Sequence, residues 1–283
     1  DVYKRQAVNF TIDGLAFTGN AQVVSTEASG NYSGFKFVNN KAYDTVEATE
    51  AWNAGRYTTT GFIEFRLASG GSTRNFTFMN NSFENVSYTN IICNRIINVV
   101  VSGNVFKDFD RDAFRTAGGY VYGTLQIVDN VFEQTQKLNG YNALFFRALA
   151  GPSATTTTVV IQNNIFKNIG TNDTVAAPYN GAISSDVFQE TPTSISVENN
   201  IFDHCYNYLY LRNNGAGNTT WTCEVNNNQF LGLPQDNYFG TYKGSDNETT
   251  NPHTAVFGEN YYEDNEGNVI TCLLYTSPSP RDA

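Results

Sequence analysis

The sequence predicts an all-β fold, a single-stranded right-handed parallel β-helix of about nine coils, and two observations lead to this expectation. First, one segment recurs as apolar-x-apolar-x-(Asn/Gly/Asp/Glu)-Asn-x-aromatic, with weaker copies near both ends, and its Asn falls at positions 20, 40, 81, 104, 130, 164, 200, 228 and 260. Second, apolar and polar residues alternate within each copy, which is typical of a strand that buries one face. A repeated strand of this kind indicates a solenoid.

The spacing between copies is irregular, from 20 to 41 residues, and this favours coils whose loops differ in length. Neighbouring coils in a parallel β-helix lie one strand spacing apart, about 4.8 Å, so nine coils predict a rod of roughly 40 Å.

The repeat also assigns structural roles. We expect the apolar residues five and three positions before the Asn, and the aromatic residue two positions after it, to stack on their equivalents in adjacent coils. The Asn itself tolerates the left-handed backbone of a short turn, and its amide can bond the same amide one coil away. These asparagines therefore form an Asn ladder and are not catalytic candidates.

Both ends of the chain resemble translated sequencing adapters. Residues 1–6 reproduce the translation of a transposase adapter, and residues 272–283 resemble the opposite strand. We expect the β-helix to occupy residues 7–271 and to be truncated on both sides. Three scattered cysteines remain, Cys93, Cys205 and Cys223, which make neither a disulfide framework nor a zinc pattern.

Composition excludes two classes of partner. The net charge is −10, and no basic patch is available for phosphates, so a nucleic-acid partner is not expected. No segment carries the roughly 18 apolar residues that a transmembrane helix needs.

The strand–NNxF–strand pattern over residues 7–271 resembles the pectin-lyase-like superfamily of right-handed parallel β-helices. More narrowly, it is similar to Asn-rich β-helical domains of unknown function found beside pectate lyases in gut Bacteroidetes. The resemblance implies an extracellular protein, secreted or at the cell surface of a Gram-negative bacterium (outer membrane or periplasm). It also implies that the strand following the aromatic belongs to a first sheet, along which the superfamily's substrate groove usually runs.

Six candidate strands of this first sheet carry a charged residue late in the strand. In five strands this residue is an arginine and in the sixth an aspartate, and these residues are Arg66, Arg95, Arg115, Arg147, Arg212 and Asp186. Strict alternation of faces further places four residues on the outer surface beside them, Glu64, Phe145, Tyr208 and Tyr210. The sequence thus predicts one outward column of guanidinium groups flanked by aromatic rings.

Such a column suits an acidic polysaccharide. Guanidinium groups bind carboxylates through two hydrogen bonds, aromatic rings offer flat surfaces to sugars, and a positive stripe attracts a polyanion. In the alternative interpretation, each arginine pairs with a loop carboxylate such as Asp110, Asp112 or Glu64 and only caps the sheet.

The segment KDFDRDAFR, residues 107–115, is the best candidate for catalysis. A uronan lyase needs a basic residue to abstract a proton and a cation such as Ca²⁺ to neutralise the carboxylate. The candidates are Lys107, Arg115 and Arg147 as catalytic groups, with Asp108, Asp110 and Asp112 as possible Ca²⁺ ligands. The alternative for this segment is a solvated charged turn.

The sequence therefore predicts a monomeric, extracellular β-helix that acts on or binds a uronic-acid-containing polysaccharide. If it is an enzyme, it is a polysaccharide lyase. The alternative is a non-catalytic glycan-binding or adhesin module.

Overall fold

A computed structural model describes residues 9–19, 23–25, 31–45, 61–65, 72–86, 89–116, 121–135, 142–146, 157–170, 181–185, 193–211, 221–233 and 254–270. Within these ranges the only regular elements are β-strands, and every strand pairing in the three sheets is parallel. The chain visits the second, third and first sheets in turn and then begins the next coil. The predicted right-handed parallel β-helix is confirmed.

The second sheet precedes the Asn turn. Its described strands are β1 (Thr11–Asp13), β4 (Asn31–Ser33), β5 (Lys36–Val38), β8 (Ser72–Met79), β11 (Ile96–Ser102), β14 (Val121–Val128), β17 (Thr157–Gln162), β20 (Thr193–Glu198), β23 (Trp221–Asn226) and β25 (Thr254–Phe257).

The third sheet follows the Asn turn and carries the aromatic of each repeat. Its described strands are β2 (Ala16–Thr18), β6 (Lys41–Tyr43), β9 (Ser82–Glu84), β12 (Val105–Lys107), β15 (Val131–Glu133), β18 (Ile165–Lys167), β21 (Ile201–Asp203), β24 (Gln229–Leu233) and β26 (Tyr261–Asp264).

The first sheet closes each coil. Its described strands are β3 (Val24–Ser25), β7 (Gly61–Phe65), β10 (Thr89–Cys93), β13 (Asp112–Thr116), β16 (Asn142–Phe146), β19 (Gly181–Ser185) and β22 (Leu209–Leu211).

Two consecutive residues of the Asn turn have different structural roles. The residue before the repeat Asn adopts the left-handed conformation, with φ between 55° and 65° at Asn39, Asn80, Gly103, Asp129, Asn163, Asn199 and Asn227. The expectation that the repeat Asn itself takes this conformation is therefore wrong. A short polar residue or glycine bears the left-handed backbone at low cost, and this leaves the next Asn free to point inward.

The predicted Asn ladder is confirmed. The Oδ1 atom of Asn130 accepts from both the backbone nitrogen and Nδ2 of Asn104, each at 3.0 Å, and the pattern repeats along the rod. The rungs from Asn40 to Asn228 are almost fully buried and Asn260 is half-buried, and each Nδ2 also donates to a main-chain carbonyl of the second sheet, as Asn130 does to Val101 at 2.9 Å. The ladder thus satisfies buried backbone groups that water cannot reach.

The aromatic residues stack as the repeat predicts. Rings in adjacent coils have centroids 4.9–5.3 Å apart and are nearly parallel, in the order Phe83, Phe106, Phe132, Phe166, Phe202, Phe230 and Tyr262. The apolar residues that precede the Asn, such as Phe76 and Phe78, complete the core from the second sheet.

A second left-handed turn, between the third and first sheets, is not anticipated by the sequence analysis. It lies two residues after the stacked core residue of the third sheet and has a positive φ at Asp44, Asn85, Asp108, Asn168, His204 and Gly232. The sequence signal is a short polar residue or glycine at that spacing. This turn redirects the chain toward the first sheet.

Candidate functional site on the outer face of the first sheet

The register of the first sheet aligns its residues in columns that run along the rod. One column contains Gly61, Thr89, Asp112, Asn142 and Gly181, and a second contains Glu64, Ile92, Arg115, Phe145, Ser184 and Tyr210. Ile92 shows which way the second column faces: it is buried but does not join the core cluster that holds its neighbours Ile91 and Cys93. The second column therefore lies on the outer face.

Two consecutive residues of each of the first-sheet strands β7, β13, β16 and β19 point into the core. Ala113 and Phe114 both belong to the core cluster, as do Ala143 and Leu144 one coil later. Since two neighbours point inward, the residues on either side of them, Asp112 and Arg115, share the outer face. This break in alternation places the two columns on the same surface.

The outer face is also largely buried. Asp112 is 0% exposed and Arg115 is 8% exposed, and Glu64 and Tyr210 are equally enclosed, whereas Phe145 is half-buried. Val105 in the third sheet, by contrast, exposes 40% of its surface outward. Charged groups on the first sheet are therefore partly shielded from water, and their interactions are stronger there than on an open surface.

An ion pair dominates this face. Arg115 Nη1 donates to Asp112 Oδ2 at 2.9 Å, and the other carboxylate oxygen, Oδ1, accepts from Asn142 Nδ2 at 2.9 Å. Arg111 Nε lies 3.6 Å from Asp112 Oδ2. The Arg115 guanidinium also lies over the Phe145 ring, with Cζ 4.8 Å from the centroid, a cation–π contact.

A hydroxyl beside this cluster has no hydrogen-bond partner. Thr89 occupies the same column as Asp112, one coil earlier, and it is 0% exposed with Oγ1 unpaired. Sequence reasoning singled out neither Thr89 nor Asn142, because nothing in their local pattern distinguishes them from ordinary strand residues. We call Thr89, Asp112, Arg115, Asn142 and Phe145 the outer-face cluster.

The predicted single column of arginines is corrected by the register. Arg115 aligns with Glu64 and Phe145. Arg95 lies beyond β10 with a left-handed φ of 52°, and its carbonyl accepts from the Thr73 nitrogen at 3.0 Å. Four further members of the predicted column, Arg66, Arg147, Asp186 and Arg212, lie outside the described residues and come two positions after the second column in the sequence.

The two tyrosines predicted to face outward differ. Tyr208 is in the core, edge-on to Phe202 and Phe230 at 6.1 and 5.5 Å, and its hydroxyl donates to the Gly232 carbonyl at 3.3 Å. The prediction that Tyr208 faces outward is therefore wrong, because Tyr208 is the first of two consecutive residues that point into the core. Tyr210 falls in the outer column as expected, but it is only 2% exposed.

The structure does not bring the 107–112 candidates together. Lys107 ends a third-sheet strand and donates to Glu84 Oε1 at 2.9 Å; this hydrogen bond and the carboxylate charge raise the pKa of Lys107. Asp108 accepts from the nitrogen and hydroxyl of Thr135, each at 2.6 Å. The contacts of Lys107 and Asp108 therefore lie at the turn between the third and first sheets.

These carboxylates do not fit a calcium site. Asp112 is already paired with Arg115, Asp108 with Thr135, and Asp110 is half-buried. Among the described residues, which include all three aspartates, no three or more His, Cys, Asp or Glu side chains gather so as to hold a metal ion. Ca²⁺ prefers six to eight oxygen ligands, and none of these three aspartates joins such a set.

The three cysteines that the structure describes, Cys93, Cys205 and Cys223, are buried, free thiols. Burial raises the pKa of the Cys205 and Cys223 thiols to about 12, and that of Cys93 as well. A thiol that keeps its proton is a poor nucleophile, so these groups belong to the core.

Comparison of the chain with protein-family models, curated proteins and solved structures finds no match. In the part of the chain that the structure describes, no helix is long and apolar enough to cross a membrane.

Proposed function

We propose that this chain is a β-helix from an extracellular, pectin-lyase-like protein, and that the outer face of its first sheet binds an acidic, uronic-acid-containing polysaccharide. The proposal rests mainly on one observation: Arg115 lies over the Phe145 ring on the outer face while donating to Asp112. The polysaccharide, the superfamily and the secreted location are parts of this proposal.

The outer-face cluster contains the groups that sugar recognition uses. Phe145 offers a half-buried ring and Arg115 a charged donor, while the buried Asp112 and Asn142 hold that donor in place. Arg115 is held in place by Asp112, so its guanidinium is pre-oriented, and pre-orientation reduces the entropy lost on binding. Guanidinium groups bind carboxylates through charge-assisted hydrogen bonds.

Binding without catalysis is the better supported mode. A lyase needs a basic residue that can accept a proton, and Lys107 lies on another sheet, bonded to Glu84. Arg115 is paired with the buried Asp112 carboxylate. β-Elimination remains the second candidate function, carried by Arg115 or by Arg147, which is outside the described residues.

Affinity electrophoresis in gels containing polygalacturonate tests the binding. Phe145→Ala keeps the Arg115–Asp112 pair and removes the ring, so we expect it to weaken retention about tenfold, equivalent to about 1.4 kcal/mol. Arg115→Gln should weaken retention at least as much, since it removes the charged donor. Circular dichroism of each variant establishes that the sheet content is unchanged.

Lys107→Gln is the matched control, because it removes one positive charge from a different sheet. It should retain wild-type mobility in the gel. Unchanged retention of both Phe145→Ala and Arg115→Gln would refute the proposal. Ultraviolet absorbance of unsaturated product during incubation with uronans distinguishes the modes: its appearance would establish the lyase, and its loss in Arg115→Gln would assign the residue.

A further inference from the structure

The outer face of the third sheet carries two regular columns that the proposed function does not use. One column alternates in charge and consists of Glu84, Lys107, Glu133, Lys167 and Asp203, which the register aligns one per coil. We call it the charge ladder. Lys107 lies 2.9 Å from Glu84 and Lys167 lies 3.6 Å from Glu133.

The second column is apolar and runs beside the charge ladder on the same face. It consists of Val105, Val131, Ile165 and Ile201, aligned in consecutive coils. Val105 exposes 40% of its surface and Ile165 exposes 37%. The column ends in polar residues, Ser82 on one side and Gln229 on the other. We call these four residues the apolar column.

The apolar column and the last four residues of the charge ladder, Lys107 to Asp203, lie in the same four coils. The midpoint of the apolar column lies between Val131 and Ile165. A two-fold axis along the strands at that height pairs coils in antiparallel order, so Glu133 of one copy faces Lys167 of the other, and Lys107 faces Asp203. The same axis sets Val131 against Ile165 and Val105 against Ile201. Four of the five charges therefore meet an opposite charge where each aliphatic side chain meets another, and Glu84, at the end of the ladder, meets none.

We propose that a second copy of this chain packs antiparallel on the outer face of the third sheet, with the axis between the coils of Val131 and Ile165. Neither column alone specifies this arrangement. An axis placed on a coil, rather than between coils, would bring like charges together at every position of the ladder, and like charges in contact are destabilising. The charge pattern thus requires an axis between coils, and the apolar pattern selects the coils between which it lies.

The contact is narrow, because each third-sheet strand in this region contributes only two outward residues. It is smaller than the roughly 800 Å² per partner of a stable interface. The expected dimer is therefore weak, concentration-dependent and salt-sensitive, since the facing charges lie near the protein surface. The monomer expected from the sequence is then the state at low concentration or high salt, and the dimer forms at high concentration and low salt.

Sedimentation velocity from micromolar to millimolar protein, in low and high salt, provides the first measurement. The reversed-ladder variant provides the decisive one: Glu84→Lys, Lys107→Glu, Glu133→Lys, Lys167→Glu and Asp203→Lys together. This variant keeps alternation within the chain and keeps self-complementarity, so it should associate with itself as the wild type does. It should not associate with the wild type at this register, because like charges would then face one another.

Two further variants separate the apolar contribution from folding. Ile165→Asp should weaken association at least tenfold, and Gln126→Asp, an exposed outward substitution on the second sheet, should leave it unchanged. The proposal is overturned if the wild type stays monomeric throughout. It is also overturned if wild type and reversed ladder associate with each other as well as each does with itself, or if Ile165→Asp associates like the wild type.

Discussion

Asn130 Oδ1 accepts two hydrogen bonds from Asn104, while Asn130 in turn donates from its nitrogen and Nδ2 to Asn164 at 2.9 and 3.0 Å. One buried side chain therefore serves three consecutive coils. We predict that Asn130→Ala destabilises the β-helix by about 3 kcal/mol or more, because several buried groups lose their partners at about 1–3 kcal/mol each. Urea unfolding followed by circular dichroism measures the loss.

The control for that substitution is Asn163→Gly. Asn163 has a φ of 57°, and glycine adopts this conformation readily, so the change should shift stability by only a few tenths of a kcal/mol. Equal destabilisation by the two substitutions would contradict the division of labour between the paired turn residues.

Asn90 is a weak point of the core. It is 0% exposed, and neither its oxygen nor its nitrogen has a hydrogen-bond partner. The residues at the same position in the next three coils are Ala113, Ala143 and Ala182. We predict that Asn90→Ala stabilises the protein by about 1 kcal/mol, because an unsatisfied buried amide costs about 1–3 kcal/mol and the cavity offsets part of the gain.

Thermal unfolding of Asn90→Ala beside Asn81→Ala tests this prediction. Asn81 has a full set of partners in the ladder, so its loss should lower the midpoint while the loss of Asn90 raises it. A lowered midpoint for Asn90→Ala would show that the amide is satisfied.

Asp112 and Arg115 should be energetically coupled: replacing both residues should cost less stability than the sum of the two single substitutions. Their side chains are 1% and 10% exposed, so removing one leaves a shielded charge without its partner. Asp112→Leu should cost about 3 kcal/mol, and adding Arg115→Leu should restore a large part of it. A double-mutant cycle by urea unfolding measures the coupling. Additive losses would contradict a tightly coupled pair.

The buried thiols should make the folded protein less stable at alkaline pH. Burial raises the pKa of Cys205 and of Cys223 from 9.0 to about 12. Above pH 9 the unfolded chain releases these protons while the folded chain retains them, so their contribution to stability is present below pH 9 and is lost as the pH rises toward about 12. Each thiol should contribute a loss of about 1.4 kcal/mol per pH unit in that window.

Urea midpoints at about pH 8 and about pH 10.5 check this slope. The double variant Cys205→Ala, Cys223→Ala should lose less stability between the two conditions than the wild type does. Val225→Ala, a core truncation in the same strand as Cys223, should lower both midpoints equally. An unchanged slope in the double cysteine variant would show that other groups govern the alkaline transition.

The fold could be predicted from the sequence because each repeat contains the residues that define its strand, its turn and its stacked ring. Alternation marks the strand, the Asn marks the turn, and the Phe two positions later marks the stack, all within a few residues. The register of the first sheet could not be derived from the repeat in this way. The stretch between Phe132 and Asn142 is longer than that between Phe106 and Asp112, so the position of Arg115 relative to Phe145 depends on tertiary pairing.

The outer face was harder to predict for a second reason. Strict alternation assigns Tyr208 outward, but paired inward residues such as Ala113 and Phe114 shift the phase by one. The approach of Asp112 to Asn142 across a coil likewise leaves no trace in the local pattern. The sequence thus pointed to Arg115 and Phe145 individually, but it did not predict the outer-face cluster that they form with other residues.

The most direct test of the central claim is an amide chemical-shift map of the protein during titration with an oligogalacturonide. We predict that the largest shifts fall on the first sheet, at Thr89, Asp112, Arg115, Asn142 and Phe145, with little change at Val105 or Lys107 in the third sheet. Shifts confined to the second and third sheets, or none at saturating oligosaccharide, would contradict it.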